Sequence, residues 1–296
     1  MSLVAVLCVI VLAIAAYLYH VIRGSGGGGW DSSPLLEESP VLAAAPSRPW
    51  ADGLAVLVCL GLGLLIRDVW WALGFPVHVM FHEVGHSAVA WLGGYWSLPL
   101  PFGFALNSAE PSPLVALAFA SLLAWGLRTA LRSRSLLLGA LCAGLAAGQA
   151  FFLFFAGRQA DEAWMLFGGC AGEMVVPALL ISAFFRPVPG RLRWDFFRWP
   201  VMAAAAFSLA AACWHWEWSL PDPEHRIMWG EAISTTKETG HDIVRLIRQH
   251  GWTAGDAAAR YALVGRLSLL LVAAVGVWSA GKPADSVGRT GVNGEP

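Results

Sequence analysis

Residues 75–92 read Phe-Pro-Val-His-Val-Met-Phe-His-Glu-Val-Gly-His-Ser-Ala-Val-Ala-Trp-Leu, an apolar stretch with a His-Glu-x-x-His motif at residues 82–86. On a helix, His82 and His86 are four residues apart, so both imidazoles project from one face and can share a metal ion. Glu83 lies beside them, where its carboxylate can accept a proton from a water at the metal. Ionisable groups at membrane depth are costly and mark functional sites. The motif therefore predicts a Zn2+ site inside a membrane-spanning helix rather than three buried side chains without a metal.

The composition is that of a membrane protein. Hydrophobic residues make up 57% of the chain, charged residues only 13%, and the mean hydropathy is +0.60. Soluble domains average about a quarter charged residues. The fold class predicted is an all-α polytopic membrane protein, with the lipid bilayer as its surroundings. The net charge of −1 and the lack of a basic patch give no reason to expect nucleic acid as a partner.

About eight transmembrane helices are predicted, because a span needs about 20 apolar residues. The first is an N-terminal membrane anchor helix at residues 1–22, expected to stay uncleaved because no basic region precedes its apolar core. Residues 23–50 form a flexible linker rich in glycine, proline and serine. The remaining apolar segments cover approximately 53–73, 76–92, 111–127, 135–156, 164–185, 200–217 and 261–280.

The position of the motif divides these segments into regions with different predicted roles. Residues 51–185 form the zinc metalloprotease-like membrane core. Residues 186–280 form the C-terminal membrane helices with an extracytoplasmic loop at 218–260, and residues 281–296 form a disordered tail. Within the loop, apolar residues at 243, 244, 246 and 247 share one helical face, which predicts a short amphipathic helix on the outer surface.

Arginines set the predicted orientation, because positively charged loops stay in the cytoplasm. Two arginine-rich loops, at 128–134 and 186–198, fall on the same side if successive segments alternate. Both termini are then cytoplasmic, as expected for a multi-pass protein of a bacterial inner (plasma) membrane. The motif helix would enter from the cytoplasmic side, with His82 about 9 Å deep and His86 about 15 Å deep.

A catalytic zinc ion needs a third protein ligand, with water in the fourth position. Glu173 is the first choice, because it is the only carboxylate central to a predicted span and glycines beside it allow close helix approach. A neutral, buried carboxyl is the alternative for this residue. Asp68 is the rival ligand if Gly74 and its neighbours make a tight turn, although Arg67 offers it an ion pair. His78 is expected to line the pocket or to support a ligand.

Residues 82–94 resemble the first motif of the site-2-protease family of intramembrane zinc metalloproteases. The pentapeptide has glycine before its second histidine and is followed by Ser-Ala and then Leu-Gly-Gly. Residues 98–103, Leu-Pro-Leu-Pro-Phe-Gly, are similar to the irregular or hairpin-forming segment after that helix, which helps admit substrate in the family. The resemblance implies that His82 and His86 bind zinc and that Glu83 is the catalytic base. The family takes its third ligand from an aspartate in a Leu-Asp-Gly motif on a later spanning helix, and none of the nine aspartates here lies in such a motif.

These observations predict a zinc metalloendopeptidase that hydrolyses peptide bonds in or next to transmembrane segments of substrate proteins. The substrate must present an extended or unwound helix, because a helix shields its carbonyl groups, and residues 94–108 could pair with it as an added strand. Two alternatives stay open. One is a catalytically inactive protease-like membrane scaffold, which the missing aspartate motif favours. The other is a membrane metal transporter, against which polar residues are sparse in the other spans.

Overall fold

The computed structural model describes residues 49–132, 136–185, 195–227 and 242–280. The predicted anchor at 1–22, nearly all of the linker at 23–50 and the tail at 281–296 lie outside these ranges. Within them the chain forms a helical bundle with one small β-hairpin. In chain order the elements are α1 (Pro49–Leu65), α2 (Arg67–Leu73), α3 (Phe75–Leu92), β1 (Ser97–Leu100), β2 (Phe104–Asn107), α4 (Pro113–Arg132), α5 (Leu136–Phe154), α6 (Arg158–Phe184), α7 (Asp195–Ser219), α8 (Pro223–Arg226), α9 (Asp242–His250) and α10 (Ala254–Ala280).

Three helices, α4, α6 and α10, are long and apolar enough to cross a membrane, and α1 with α2 adds a fourth if the bent pair is one span. The coarse prediction of a helical protein with helices of membrane-spanning length is thus confirmed. The predicted number of eight is not reached in the described ranges. Helix α5 is apolar but shorter. Helix α3 contains three histidines and a glutamate, and α7 contains four tryptophans, a histidine and a glutamate, which lower their mean hydropathy.

Helix α3, which carries the motif, packs antiparallel against α6 with backbone touching backbone. A Cβ atom at Gly172 would lie 2.5 Å from the carbonyl oxygen of Phe81 and 2.6 Å from Cα of Gly85. A Cβ atom at Gly168 would lie 2.8 Å from the carbonyl oxygen of Gly85. Only glycine allows such an approach, so these three positions set the separation of the two helices.

The other long helices fix the direction of each chain segment. Asp52 of α1 lies beside Arg198 of α7, and further along Gly63 lies against Phe207, so α1 and α7 are parallel. The guanidinium of Arg198 donates a hydrogen bond to the carbonyl oxygen of Phe184, joining the start of α7 to the end of α6. Helices α6 and α7 are therefore antiparallel. Since α3 is also antiparallel to α6, helices α1 and α3 point the same way.

The parallel direction of α1 and α3 differs from the topology predicted from the sequence. Segments 53–73 and 76–92 were predicted to be successive spans of opposite direction, and Asp68 would reach the site if Gly74 and its neighbours made a tight turn. Instead, α1 and α2 meet at an angle of 88°, and α3 continues toward the same end of the bundle as α1. At the junction of α2 and α3, a Cβ atom on Gly74 would lie 2.5 Å from the ring of Trp70. A bend, not a reversal, therefore leads into the motif helix.

The two ends of the bundle are distinguished by the elements that lie there. The arginine end contains the end of α6 and the first turn of α7 with Arg198. The hairpin end contains β1, β2 and the start of α6 at Arg158. Gly169, which faces the motif histidines, lies about 16 Å along α6 from Arg158 and about 22 Å from Phe184, at a rise of about 1.5 Å per residue. Along α6 the site therefore lies somewhat nearer the hairpin end than the arginine end, and its predicted depth in the membrane stays a prediction.

The hairpin predicted after the motif helix is confirmed. Strand β1 pairs antiparallel with β2, with Pro99 opposite Ala105. Two contacts hold the hairpin to α3: the hydroxyl of Ser97 donates to the hydroxyl of Ser87 at 2.7 Å, and the indole nitrogen of Trp91 donates to the carbonyl oxygen of Ser97 at 3.0 Å. The position of the hairpin is thus coupled directly to the motif helix.

We expect Gly172→Ala to destabilise the protein by about 1–3 kcal/mol, because the new methyl group meets the backbone of α3, which cannot move aside locally. The matched control is Gly144→Ala on the exposed face of α5, where a Cβ atom meets nothing within 4 Å. Because alanine has a higher helix propensity than glycine, Gly144→Ala should leave the free energy of unfolding unchanged or raise it by up to about 1 kcal/mol. Thermal unfolding in detergent measures both, and equal melting temperatures for the two variants would contradict the close packing.

Candidate metal centre

Three electron-pair donor atoms meet on one side of α3. The Oδ2 atom of Asp242 lies 2.9 Å from Nε2 of His82 and 3.0 Å from Nε2 of His86. His82 and His86 come from adjacent turns of α3, as their spacing requires. Asp242 comes from the first residue of α9, 160 positions later in the chain than His82. This is a geometrically compact set of two imidazoles and one carboxylate.

The other ring nitrogens show how each imidazole is oriented. Nδ1 of His86 lies 2.7 Å from the carbonyl oxygen of Met165, which can only accept a hydrogen bond. Nδ1 of His82 lies 2.7 Å from Oε1 of Glu173. Both Nδ1 atoms therefore carry hydrogen, and in the neutral rings both Nε2 atoms present a lone pair. This is the arrangement that orients metal-binding histidines in proteins.

These contacts fit a bound cation. With neutral imidazoles, two Nε2 lone pairs and an ionised carboxylate oxygen face one another at 2.9–3.0 Å with no proton to share. Two histidines and one carboxylate are the protein ligands of one common class of catalytic zinc site.

A glycine of α6 makes room for this group. A Cβ atom on Gly169 would lie 2.5 Å from Nε2 of His82 and 2.5 Å from Nε2 of His86. Any side chain at this position would therefore occupy the space where the two imidazoles converge. The donor atoms, the tautomers set by their partners and the space kept open by Gly169 are all consistent with a metal ion held by His82, His86 and Asp242.

Glu173 does not occupy the position predicted for it. Its carboxylate contacts Nδ1 of His82, the nitrogen on the opposite side of the ring from Nε2, so it cannot share one ion with Nε2 of His82 and His86. Glu173 is buried, as expected, and its role there is to accept the Nδ1 hydrogen and orient the ring. We therefore replace Glu173 by Asp242 as the candidate third ligand, and reassign Glu173 as the partner that positions His82.

Asp242 was missed for two reasons. The sequence places it in a loop of mixed charge, and the predicted antiparallel arrangement put that loop at the opposite end of the bundle from the motif. The amphipathic helix was predicted correctly, but its predicted location on the surface is wrong. Ile243 and Leu246 are buried in the described structure, and α9 packs against α6. No residue spacing within the chain marks Asp242 as a ligand, because the contact depends wholly on tertiary packing.

A second group of ligand-type atoms shares His82. The Cys170 thiol and the Glu173 carboxylate both lie near Nδ1 of this ring. An ion there would have to displace the hydrogen that Nδ1 shares with Glu173. The set with His86 and Asp242 needs no such change, so it is the better candidate.

A cavity of about 800 Å³ opens beside the candidate metal ligands. His82, His86 and Asp242 contribute to its wall, and so does Glu83, whose side chain is otherwise buried. Strand β2 forms another part of the wall through Phe104, Ala105 and Asn107. The predicted base therefore lies next to the predicted metal ligands in a space that can admit water and an extended chain.

Two other predicted residues lie away from this group. Asp68 is 85% exposed and pairs with Arg67 at 3.6 Å, the structural alternative that was left open. His78 is buried and stacks on Trp71 with a ring-centroid distance of 4.2 Å, and it is not part of the described cavity wall. In the predicted outer loop, His225 pairs with Asp222, and His241 lies outside the described residues.

Comparisons with protein-family models, curated proteins and solved structures find no match to this chain. The resemblance to the site-2-protease family, carried by residues 82–94, stays a prediction.

We expect Asp242→Ala to abolish stoichiometric zinc binding, because it leaves only two protein ligands. Glu173→Gln should instead weaken zinc affinity by about 10–100-fold while retaining zinc at saturation, since it removes a charge from the partner of His82 and not a ligand. Asp68→Ala is the matched control and should bind zinc like the wild type.

Metal content after dialysis and competition with a chromophoric chelator measure these effects. The relative zinc affinities of the variants decide which carboxylate is the third ligand. If Glu173→Ala loses zinc outright while Asp242→Ala keeps it, Glu173 is the ligand and the reassignment is wrong.

Proposed function

We propose that this protein is an intramembrane zinc metalloprotease that hydrolyses peptide bonds in or next to transmembrane segments of substrate proteins. The observation that carries the proposal is the convergence of His82, His86 and Asp242 within 3.0 Å contacts, with Glu83 in the wall of the same cavity. Three protein ligands and an adjacent carboxylate are what a hydrolytic zinc site requires. An apolar helical bundle around them supports action on membrane-embedded substrates.

The roles of the side chains follow from their positions. When bound, zinc supplies Lewis acidity that polarises the scissile carbonyl and makes water a better nucleophile. Glu83 accepts a proton as the water oxygen bonds to the carbonyl carbon, and passes that proton to the leaving nitrogen as the C–N bond breaks. The products are a carboxylic acid and an amine, which become a carboxylate and an ammonium group by proton transfer at neutral pH. Glu173 and the Met165 carbonyl hold the two imidazoles in place throughout.

The edge of β2 supports binding of an extended substrate. The amide of Ser108 donates to the carbonyl oxygen of Trp96, so this residue pair is hydrogen-bonded. Hydrogen-bonded and non-hydrogen-bonded pairs alternate in an antiparallel ladder, so Pro99 and Ala105 form a non-hydrogen-bonded pair, which suits a proline. The backbone N–H and C=O of Ala105 therefore point to the outer edge of β2, beside the cavity. A substrate strand can pair there next to Glu83.

The proposed setting is a multi-pass protein of a bacterial inner membrane with the arginine end in the cytoplasm. In that orientation the candidate metal centre lies nearer the extracytoplasmic side, because it is closer to the hairpin end. Substrates would then be cut toward the outer half of the bilayer, opposite to the side expected from the sequence.

We expect Glu83→Gln to keep stoichiometric zinc but lower cleavage of a transmembrane peptide by about 10²–10⁴-fold, because the base is lost and the ligands are not. His82→Ala should lose both zinc and cleavage. The assay uses the full chain in detergent or liposomes, with fluorescent substrate peptides and metal analysis of the same samples. Undiminished cleavage by Glu83→Gln would overturn the mechanism.

The same measurements separate the alternatives. Client binding without zinc or cleavage would identify an inactive scaffold. Zinc flux into vesicles, in the absence of cleavage, would identify a transporter.

We expect Ala105→Pro to raise KM for extended substrates while zinc binding stays unchanged, because the substitution removes an N–H from the outer edge of β2 and not from its pairing with β1. Ala105→Ser, which keeps the N–H, is the control and should behave like the wild type. Steady-state cleavage and metal content are the readouts. Equal KM values for the two variants would exclude strand pairing at this edge.

A further inference from the structure

Beyond its metal ligands and base, the cavity contains a cationic side chain close to the candidate metal centre. Arg245 lies on α9, one helical turn after Asp242, and its side chain lines the cavity. Residues three apart on a helix have Cβ atoms about 5–6 Å from each other. The side chains of Arg245 and Asp242 therefore start from neighbouring points on α9, and both line the same cavity.

Arg245 is held by a carboxylate of a different helix. Its Nη2 atom lies 2.5 Å from Oε1 of Glu162 on α6, and Glu162 also lines the cavity. A guanidinium has five N–H donors, so this contact leaves others for a group in the cavity. A charged pair between α6 and α9 fixes the direction of the arginine, which is what a preorganised hydrogen-bond donor requires.

The other arginine in the described cavity wall is less suitable. Arg158 is 76% exposed and pairs with Glu110 at 3.4 Å. It also lies seven residues before Met165, the partner of His86, which corresponds to about 10 Å along α6. Tyr95 lines the cavity as well, but its hydroxyl faces Asp161. Arg245 is therefore the donor best placed to meet a substrate carbonyl at the metal.

We propose that Arg245 is a catalytic residue that donates hydrogen bonds to the scissile carbonyl oxygen as negative charge develops on it, and that Glu162 is its positioning residue. The proposal rests on the protease function proposed above. As the water oxygen bonds to the carbonyl carbon, the π electron pair moves to the carbonyl oxygen, and a fixed cation next to it lowers the energy of that state. When the C–N bond breaks, the carbonyl re-forms and the hydrogen bonds weaken.

The test compares Arg245→Gln with Arg248→Ala, an exposed arginine one turn further along α9 that does not line the cavity. We expect Arg245→Gln to lower kcat by about 10²–10³-fold with bound zinc unchanged, the range found when one oxyanion donor is removed. It should weaken binding of a peptidyl phosphinate, a mimic of the tetrahedral state, by a similar factor. Arg248→Ala should retain wild-type kcat, zinc and phosphinate affinity.

Glu162→Gln tests the positioning role. Glu162→Gln should lower kcat less than Arg245→Gln does, and it should leave KM and zinc content unchanged. The double variant should have the same kcat as Arg245→Gln alone, because the two residues act as one unit. If the effects of the two substitutions on kcat are fully additive, Glu162 does not act through Arg245.

Each other result overturns the proposal in an identifiable way. Loss of zinc from Arg245→Gln, with wild-type kcat per bound zinc ion in what remains, would mean that the arginine only holds α9 in place. Wild-type kcat in zinc-loaded Arg245→Gln would exclude the catalytic role and leave the protease function intact. If the zinc-loaded wild type cleaves nothing, the protease function fails, and equal phosphinate affinity of wild type and Arg245→Gln would then overturn the proposal as well.

Discussion

The structure depends on the contact between the backbones of α3 and α6. Gly85, Gly168 and Gly172 bring the two helices closer than any side chain would permit. This separation places the Met165 carbonyl and the Glu173 carboxylate within 2.7 Å of the two Nδ1 atoms, and it brings Gly169 under the two Nε2 atoms. With wider spacing the histidines would have no fixed tautomer and no fixed orientation. Helix packing therefore determines the chemistry that the imidazoles can perform.

The polar groups of this site are held by partners from three separate elements. Helix α3 contributes two imidazoles and a carboxylate, α6 contributes their hydrogen-bond acceptors, and α9 contributes Asp242. Each imidazole has a hydrogen-bond acceptor for its Nδ1 hydrogen, from Glu173 or Met165, which offsets the cost of removing it from water. The hairpin is coupled to the same assembly through Ser87 and Ser97. An extended substrate that pairs with β2 is thus positioned relative to α3 and not relative to a loop that moves independently.

Local sequence rules predicted whatever depends on neighbouring residues. The face shared by His82 and His86 and the amphipathic pattern of α9 follow from short-range periodicity, the hairpin after α3 was implied by the family resemblance, and the structure contains all three. The functional role of Glu83 and its neighbours stays a prediction from the same rules. What could not be predicted was the direction in which α1 and α3 run relative to each other. The sequence near Gly74 is compatible with either a reversal or a bend, and the packing of Trp70 against Gly74 is a tertiary contact.

The predicted direction of α3 relative to α6 agrees with the structure, and it is α1 that runs the opposite way. Because α3 was taken to begin at the arginine end, the site was placed near that end, away from the loop with Asp242, and Glu173 remained as the only central carboxylate. Its burial next to His82 was correctly anticipated. Whether such a carboxylate binds a metal or orients its ligand depends on which ring nitrogen it meets, and spacing along a helix does not contain that information.

The long sequence separation of the donors gives the metal a second effect, on stability. His82 and Asp242 are 160 positions apart, and an unfolded chain seldom brings such residues together. A cation bound by both closes that loop only in the native state, so it stabilises folding by mass action. The gain is about 2.7 kcal/mol at a free concentration one hundred times its dissociation constant. If this site binds the proposed zinc ion, the folded population of the bundle and the attachment of α9 to it would depend on the zinc concentration of its compartment.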